Sequence, residues 1–178
     1  MILARQNLHF LDQATTLLES LDDQLFTSQD SHGHSSVGAH LRHTLDAYRC
    51  FLDGLQDNRV DYDARQRDPQ IESVRTSALE RIAFIRDALA ELDESDRHRT
   101  VDVRCDAAAW DQQHAWTRST IGRELQFLLS HTVHHFALVA MTLRSLGFEP
   151  GQGFGVAPST LEHLDAAPGE SEVAACAR

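Results

Sequence analysis

Apolar residues recur at helical spacing from the first residues of the chain. Residues 2–26 place one apolar face on Leu3, Leu8, Leu11, Leu18 and either Leu21 or Leu25. After a polar stretch, Ser35 or Ser36 offers an N-cap, and a second periodic segment brings Val37, Leu41, Tyr48, Leu52 and Leu55 to one side. These spacings predict two amphipathic helices joined by a polar loop.

Two further helices follow the polar connector at residues 57–67. The third begins at Asp68-Pro69, an N-cap aspartate followed by proline at the first helical position, and runs to about Leu92. The fourth is capped by Ser119 or Thr120 and continues to Leu146 before Gly147. Four long amphipathic helices predict an antiparallel four-helix bundle of the all-α class.

Two shorter elements complete the predicted fold. Residues 100–104 alternate between polar and apolar side chains and are expected to pair with residues 115–118 as a short hairpin between the third and fourth helices. Pro158, with Ser159 and Glu162 as a capping box, predicts a short C-terminal helix. The bundle domain is expected over residues 1–165, and residues 166–178 are expected to form a flexible tail.

Composition limits the classes of function. The 178 residues carry a formal net charge of −11 and no basic stripe, which makes nucleic acid an unexpected partner. No apolar run approaches the roughly 18 residues of a membrane span, and residues 1–10 lack the features of a signal peptide. We therefore expect a cytoplasmic protein without a membrane partner.

Two residue types narrow the chemistry further. All 16 basic residues are arginine, so Schiff-base catalysis and a phosphate-loop lysine are excluded. The three cysteines are widely spaced and form neither a disulfide framework nor a C-x-x-C metal motif. Histidine, in contrast, occurs 11 times, and makes a metal site worth testing. Arg75 and Arg123 are candidates to receive an anionic substrate, although surface arginines of a bundle usually do not.

The fourth helix carries the clearest candidate for metal binding. His131 and His135 are four positions apart, so their side chains stack one turn apart, whereas the intervening His134 points away. Both histidines lie on one flank of the apolar face, where they can reach a partner helix. Glu124 lies on the same flank, and could accept a hydrogen bond from a ligand, serve as a catalytic base, or simply be solvated.

The second helix offers two choices for a third ligand. His43 and His40 both lie on the flank of its apolar face, and either could meet the histidine pair across a groove. Geometry alone slightly favours His40, which is the more inward of the two.

The segments that carry these histidines resemble the DinB-like family of metal-binding four-helix bundles. Val37-Gly-Ala-His-Leu-Arg-His-Thr-Leu-Asp46 resembles their second-helix ligand segment, and His131-Thr-Val-His-His-Phe136 resembles the H-x-x-x-H segment of their last bundle helix. The resemblance assigns the ligand roles to His43, His131 and His135, and covers roughly residues 2–147. Many relatives follow the last ligand with Arg-Gly-Gln, whereas Phe136-Ala-Leu stands here. This departure bears on whether the chain acts on the same substrate as these relatives more than on whether it binds the same metal.

The resemblance also carries expectations about function. It implies a divalent metal ion, with zinc or nickel first and iron or manganese as alternatives, and a metal-dependent thiol transferase or hydrolase acting on a small molecule, such as a low-molecular-weight thiol. Three imidazoles leave such an ion open positions for water or substrate. The competing hypothesis is a non-catalytic, stress-associated metal-binding bundle, and a homodimer is expected in either case.

Overall fold

Helices form most of the chain. The computed structural model describes residues 1–29, 33, 35–105 and 116–166. The helices in chain order are α1 (Ile2–Ser20), α2 (Asp23–Thr27), α3 (Val37–Gly54), α4 (Pro69–Ser73), α5 (Arg75–Ala90), α6 (Ile121–Ser145) and α7 (Pro158–Ala166). Of these, α1, α3, α5 and α6 form a four-helix bundle in which α1 and α3 each pack against both α5 and α6.

The helix starts follow from local side-chain capping. The side chain of Ser36 accepts a hydrogen bond from the amide of Ala39 at the start of α3. Thr120 caps α6 in the same way, and Asp68 caps α4 with proline at the first helical position. The predicted starts of these three helices are therefore confirmed.

Two of the predicted helices are interrupted. The first ends at Ser20, and Asp22 begins the separate helix α2 by accepting a hydrogen bond from the amide of Leu25. The third is divided at Val74, whose backbone is extended between α4 and α5. An aspartate that bonds the backbone locally and a β-branched valine both disfavour a continuous helix, so apolar periodicity alone overestimated the length.

Some neighbouring helices are antiparallel and others are parallel, and α1 and α5 form an antiparallel pair. The amino group of Met1 donates to the carbonyl oxygen of Leu92, and Arg75 donates to that of Leu18, so α1 and α5 are antiparallel.

Residues of α3 and α5 that contact each other follow the same order along both helices. Arg81 lies 4.0 Å from Asp46, and the guanidinium of Arg49 lies 4.6 Å from the centre of the Phe84 ring. These two helices are therefore parallel. The prediction of a fully antiparallel bundle is wrong for this pair because the long connector at residues 55–68 returns the chain to the end where α3 began.

A three-stranded mixed sheet overturns the prediction of an all-α fold. Its strands are β1 (Arg59–Asp61), β2 (Thr100–Arg104) and β3 (Thr117–Thr120), in the order β1-β2-β3. β1 and β2 are parallel, and β2 and β3 form an antiparallel hairpin with Thr100 opposite Thr120. The hairpin was expected, but its second strand spans Thr117–Thr120 and not residues 115–118. Residue 115 lies outside the described part of the chain. β1 was missed because a three-residue strand in a polar connector has no measurable period.

The first strand of the sheet lies directly on the end of α3. The thiol of Cys50 donates to the carbonyl oxygen of Asp61, 2.9 Å away. A Cβ atom on Gly54 would lie 2.5 Å from the carbonyl oxygen of Arg59, so only glycine permits this close approach. The connector that follows β1 is thereby held beside one face of α3, which becomes important for the candidate site.

A buried polar network joins three helices in the core. The hydroxyl of Tyr48 donates to the side-chain oxygen of Asn7 at 2.6 Å and lies 3.0 Å from the hydroxyl of Thr132. Asn7 in turn donates to the carbonyl oxygen of Leu125. Because buried polar atoms are costly without partners, this network fixes α1, α3 and α6 relative to one another.

Two further predictions concerned a flexible C-terminal tail and the absence of a membrane-spanning segment. The expected tail, residues 166–178, lies outside the described residues apart from Ala166, the last residue of α7. Within residues 1–29, 35–105 and 116–166, no helix combines the length and the apolar character needed to cross a membrane.

Candidate metal centre

Three histidines from two helices meet on one side of the bundle. His43 lies on α3, and His131 and His135 lie on α6. One ring nitrogen of each lies within 4.8 Å of those of the other two. The ring centres are 4.9 Å apart for His43 and His131, 4.6 Å for His43 and His135, and 4.5 Å for His131 and His135.

The helix geometry explains why these rings converge. His131 and His135 are one turn apart on α6, as their spacing predicted. His43 faces them because α3 and α6 pack as antiparallel neighbours: Tyr48 meets Thr132 at one level, and His43 meets the histidine pair one turn away. The core network therefore sets the height at which α3 presents His43.

His40 lies at the edge of this cluster. Its Nδ1 atom is 3.1 Å from Nδ1 of His135, so one of the two nitrogens donates and the other accepts. Such a bond leaves Nε2 of His135 as the nitrogen that can face an ion. The two candidates on α3 therefore occupy different places: His43 is grouped with the α6 pair, and His40 contacts His135 from outside the group. The slight geometric preference for His40 disagrees with this arrangement.

His134 is placed as its position on the helix predicted. Its side chain is exposed, and its ring centre is 5.2 Å from that of His135. A step of about 100° between adjacent helical residues turns it away from the cluster.

Electrostatics favour neutral imidazoles. Burial lowers the pKa of His43 to about 4, with further lowering from His131 and from the positive charge of Arg65. Burial also lowers the pKa of His135 to about 3, and the neighbouring His131 and His43 add to this effect. At neutral pH these two rings are therefore unprotonated, and a lone pair is available on each for a metal ion.

The cluster fits a divalent ion in size and donor type. A tetrahedral ion with metal–nitrogen distances of about 2.1 Å needs its nitrogens about 3.4 Å apart. The three nitrogens already lie within 4.8 Å of one another, so each pair exceeds that spacing by about 1.4 Å at most. Three neutral imidazoles form the donor set of an open site, which keeps positions for water or substrate. These three histidines could therefore hold a metal ion, and their assignment as its ligands stays a prediction.

Glu124 is buried, and each of its carboxylate oxygens accepts a hydrogen bond. It accepts a hydrogen bond of 2.6 Å from Ser119 and one of 3.1 Å from the hydroxyl of Tyr62. The Tyr62 ring packs 5.3 Å from Phe127, which stacks on His131 with ring centres 5.7 Å apart. Glu124 thus contacts the histidine cluster through two aromatic rings. These contacts support a positioning role, and its predicted role as a base stays untested.

Asp46 and Cys50 continue the α3 face on which His43 lies. Asp46 is buried and pairs with Arg42 at 3.2 Å and with Arg81 at 4.0 Å. Burial raises the pKa of its carboxyl, and Arg42 partly offsets the rise. Burial likewise raises the pKa of the Cys50 thiol to about 11, so it remains protonated at neutral pH and is a poor nucleophile.

The arginines suggested as anion receptors lie elsewhere. Arg75 donates to Asp23 and to the carbonyl oxygen of Leu18, so its guanidinium is used within the bundle. Arg123 is exposed near the start of α6 and lines a small cleft with Leu3. Sequence reasoning missed Arg65, whose charge acts on His43, because a connector residue has no periodicity that would reveal its position.

Comparison with known proteins agrees with the histidine segments. A sequence model of the DinB family matches residues 3–158, which confirms the resemblance noted from the sequence. The chain is also 31% identical over 105 residues to "FK506-binding protein 5" of Rhizopus delemar. That similarity covers 59% of this chain and only 27% of the relative, so most of the relative has no counterpart here.

Proposed function

Because the chain belongs to the DinB family, we propose that it binds one divalent metal ion through His43, His131 and His135. The proposed ion is zinc or nickel, and iron or manganese would also accept this donor set. The proposed activity is that of a metal-dependent thiol transferase or hydrolase acting on a small molecule.

The observation that carries this proposal is the convergence of three ring nitrogens within 4.8 Å. The supporting observation is electrostatic: burial lowers the pKa of both His43 and His135, so the cluster offers lone pairs rather than positive charge at neutral pH. Three protein ligands leave the remaining positions of the ion for reactants.

Each part of the site has a proposed task. When bound, the metal would supply a hydroxide or hold a thiolate at neutral pH. His40 orients the ring of His135 through the contact between their Nδ1 atoms. The Glu124–Tyr62 hydrogen bond positions Phe127 against His131 and limits the movement of that ligand.

The experiment begins with elemental analysis of untagged protein and of the variant His135→Ala. We expect about one divalent ion per chain in the parent protein and none in the variant. A thiol-conjugation assay then follows, with metal-free protein as the control and the same sample after metal is restored. Turnover that requires the metal supports the enzyme. Stoichiometric metal without turnover on any thiol or hydrolysable ester would instead support the non-catalytic, stress-associated bundle.

The expected homodimer is tested separately, because neither the metal nor the activity depends on it in this proposal. Light scattering of untagged protein over a range of concentrations measures the mass directly. A mass near 40 kDa, twice the chain mass of 19.9 kDa, supports the dimer. A mass near that of a single chain contradicts it.

A further inference from the structure

An open cavity of about 790 Å³ lies beside the face of α3 that carries His43. Its walls come from α3, from β1 and the connector that follows it, and from α4 and α5. Asp46 and Cys50 belong to its lining, and they follow His43 by three and seven positions. Residues at this spacing share one helix face, so the cavity lies along the same face of α3 as His43, toward the C-terminal end of that helix.

Most arginines of the cavity are already used by neighbouring groups. Arg49 pairs with Asp53 at 2.8 Å, and Arg81 pairs with Asp68 at 3.2 Å. Arg59 stacks over Trp116, with 4.0 Å between the guanidinium carbon and the ring centre. These contacts stabilise the walls and leave little positive charge for a ligand.

Arg65 and Arg67 differ from these residues. Arg65 donates one hydrogen bond, of 2.8 Å, to the carbonyl oxygen of Tyr62, and its buried Nε atom has no hydrogen-bond partner among the described residues. Arg67 is exposed at the cavity and forms no ion pair with a carboxylate in the described part of the chain. Arg65 and Arg67 are therefore neighbouring guanidinium groups at one cavity with no ion pair to a carboxylate of the described residues, and such groups suit an anionic partner.

Arg65 also connects the cavity to the histidine cluster. The Tyr62 carbonyl that Arg65 contacts belongs to the residue whose ring packs on Phe127, and Phe127 stacks on His131. A chain of contacts through Tyr62 and Phe127 therefore joins Arg65 to the histidine cluster.

We propose that this cavity binds the carboxylate or phosphate group of the substrate through Arg65 and Arg67, and so selects small anionic molecules for the histidine centre. The selection of substrate rests on the proposed metal-dependent function, whereas anion binding itself does not need the metal. The planar guanidinium fork suits both groups, because each presents two oxygens to paired N–H donors.

Calorimetric titration of metal-free, full-length protein tests the anion site. The probes are malonate, inorganic phosphate and the uncharged analogue malonamide, all at low ionic strength because exposed charges are screened by salt. We expect malonate or phosphate to bind and malonamide not to, and the more strongly bound anion identifies the group. Arg67→Gln is expected to weaken binding about tenfold or more, since it removes charge-assisted hydrogen bonds.

Arg123→Gln is the matched control, because it removes the same charge from an exposed position on α6 and should leave anion affinity unchanged. Arg65→Gln serves as a second variant, with the thermal melt checking that loss of its bond to Tyr62 leaves the chain folded. Three results would overturn the proposal. The first is equal anion affinity in Arg67→Gln and Arg123→Gln, and the second is binding of malonamide as tight as that of malonate. The third is no binding of either malonate or phosphate.

A second arm links the cavity to the centre. Cobalt-loaded protein is titrated with mercaptosuccinate and with 2-mercaptoethanol, and the thiolate-to-cobalt absorption band reports thiol binding. The dicarboxylate thiol is expected to bind more tightly than the neutral thiol, and Arg67→Gln is expected to remove that difference. Equal binding of the two thiols to the parent protein overturns the proposed selection. If cobalt does not bind while malonate still does, the metal function fails and the anion site stands.

Discussion

Removal of the proposed metal ion is expected to lower the thermal stability of the protein without unfolding it. The proposed ligands lie on α3 and α6, far apart in the sequence, and they converge only in the folded chain. An ion that binds only the native state stabilises it by about 2.7 kcal/mol when free metal is a hundredfold above its dissociation constant. For a chain of this size, each kcal/mol shifts the unfolding midpoint by about 2–4 °C, so a chelator should lower it by about 5–11 °C.

The metal-free protein should nevertheless remain folded. Its core is built from apolar side chains of all four long helices, and the network of Asn7, Tyr48 and Thr132 joins α1, α3 and α6 without the histidines. Loss of the ion removes one link between α3 and α6 but leaves this packing in place. The far-ultraviolet circular dichroism of the chelated protein is therefore expected to stay helical at 25 °C.

The dependence on pH distinguishes this site from exposed histidines. Unfolded histidines take up protons near pH 6.5, whereas His43 and His135 in the folded chain have pKa values of about 4 and about 3. Between these values the unfolded state binds more protons than the native state, so the free energy of unfolding of the metal-free protein falls as pH falls below about 6.5. The native rings of His43 and His135 stay neutral at pH 5.5, so a chelator-sensitive shift should persist there.

The assay is a thermal melt with and without chelator at pH 7.5, 5.5 and 3.5, with His135→Ala as the control that has no metal to lose. The shift is expected at the first two values and should be smaller at the third, where His43, with a pKa of about 4, takes up a proton. The reasoning would be refuted if a chelator did not change the melting temperature of the parent protein at pH 7.5 after excess zinc or nickel had been supplied.

Four further outcomes are expected. His135→Ala should abolish stoichiometric metal by elemental analysis and His134→Ala should not; the reverse result contradicts the assignment of ligands. His40→Ala should weaken metal affinity about 10–100-fold without abolishing it, because it removes the partner of a ligand rather than a ligand, and competition with a chelator of known affinity measures this. Glu124→Gln should lower the urea midpoint while one ion per chain is retained; loss of the ion would give Glu124 a direct role. Gly38→Ala should destabilise the protein by about 1–3 kcal/mol or more in urea, because its Cβ would lie 2.1 Å from a carbonyl oxygen of α4; an unchanged midpoint argues against this close approach.

Local signals in the sequence determined where most helices begin and which histidines share a face. Ser36, Asp68 and Thr120 cap their helices through contacts that span three residues or fewer, so no other part of the chain is needed to form them. The same holds for His131 and His135, because the α-helix itself places residues four apart one above the other.

Tertiary structure alone decided the features that depend on distant residues. β1 is a strand only because β2 lies beside it, more than one helix later in the chain, and this pairing replaced the expected all-α fold with a mixed architecture. The parallel course of α3 and α5 likewise depends on how the connector crosses the bundle. A hydrophobic period specifies which face is buried but not which neighbour covers it.

The two candidates on α3 show the same division within the site. His40 and His43 lie on one flank of the helix, and their positions in the sequence could not rank them reliably. The depth at which α3 packs against α6, set by the buried contact of Tyr48 with Thr132, brings His43 into the group and leaves His40 beside His135. The sequence thus determined the type of residue and its helix face, and long-range packing decided which side chains meet, because a shift of one turn along a helix changes every contact across the interface.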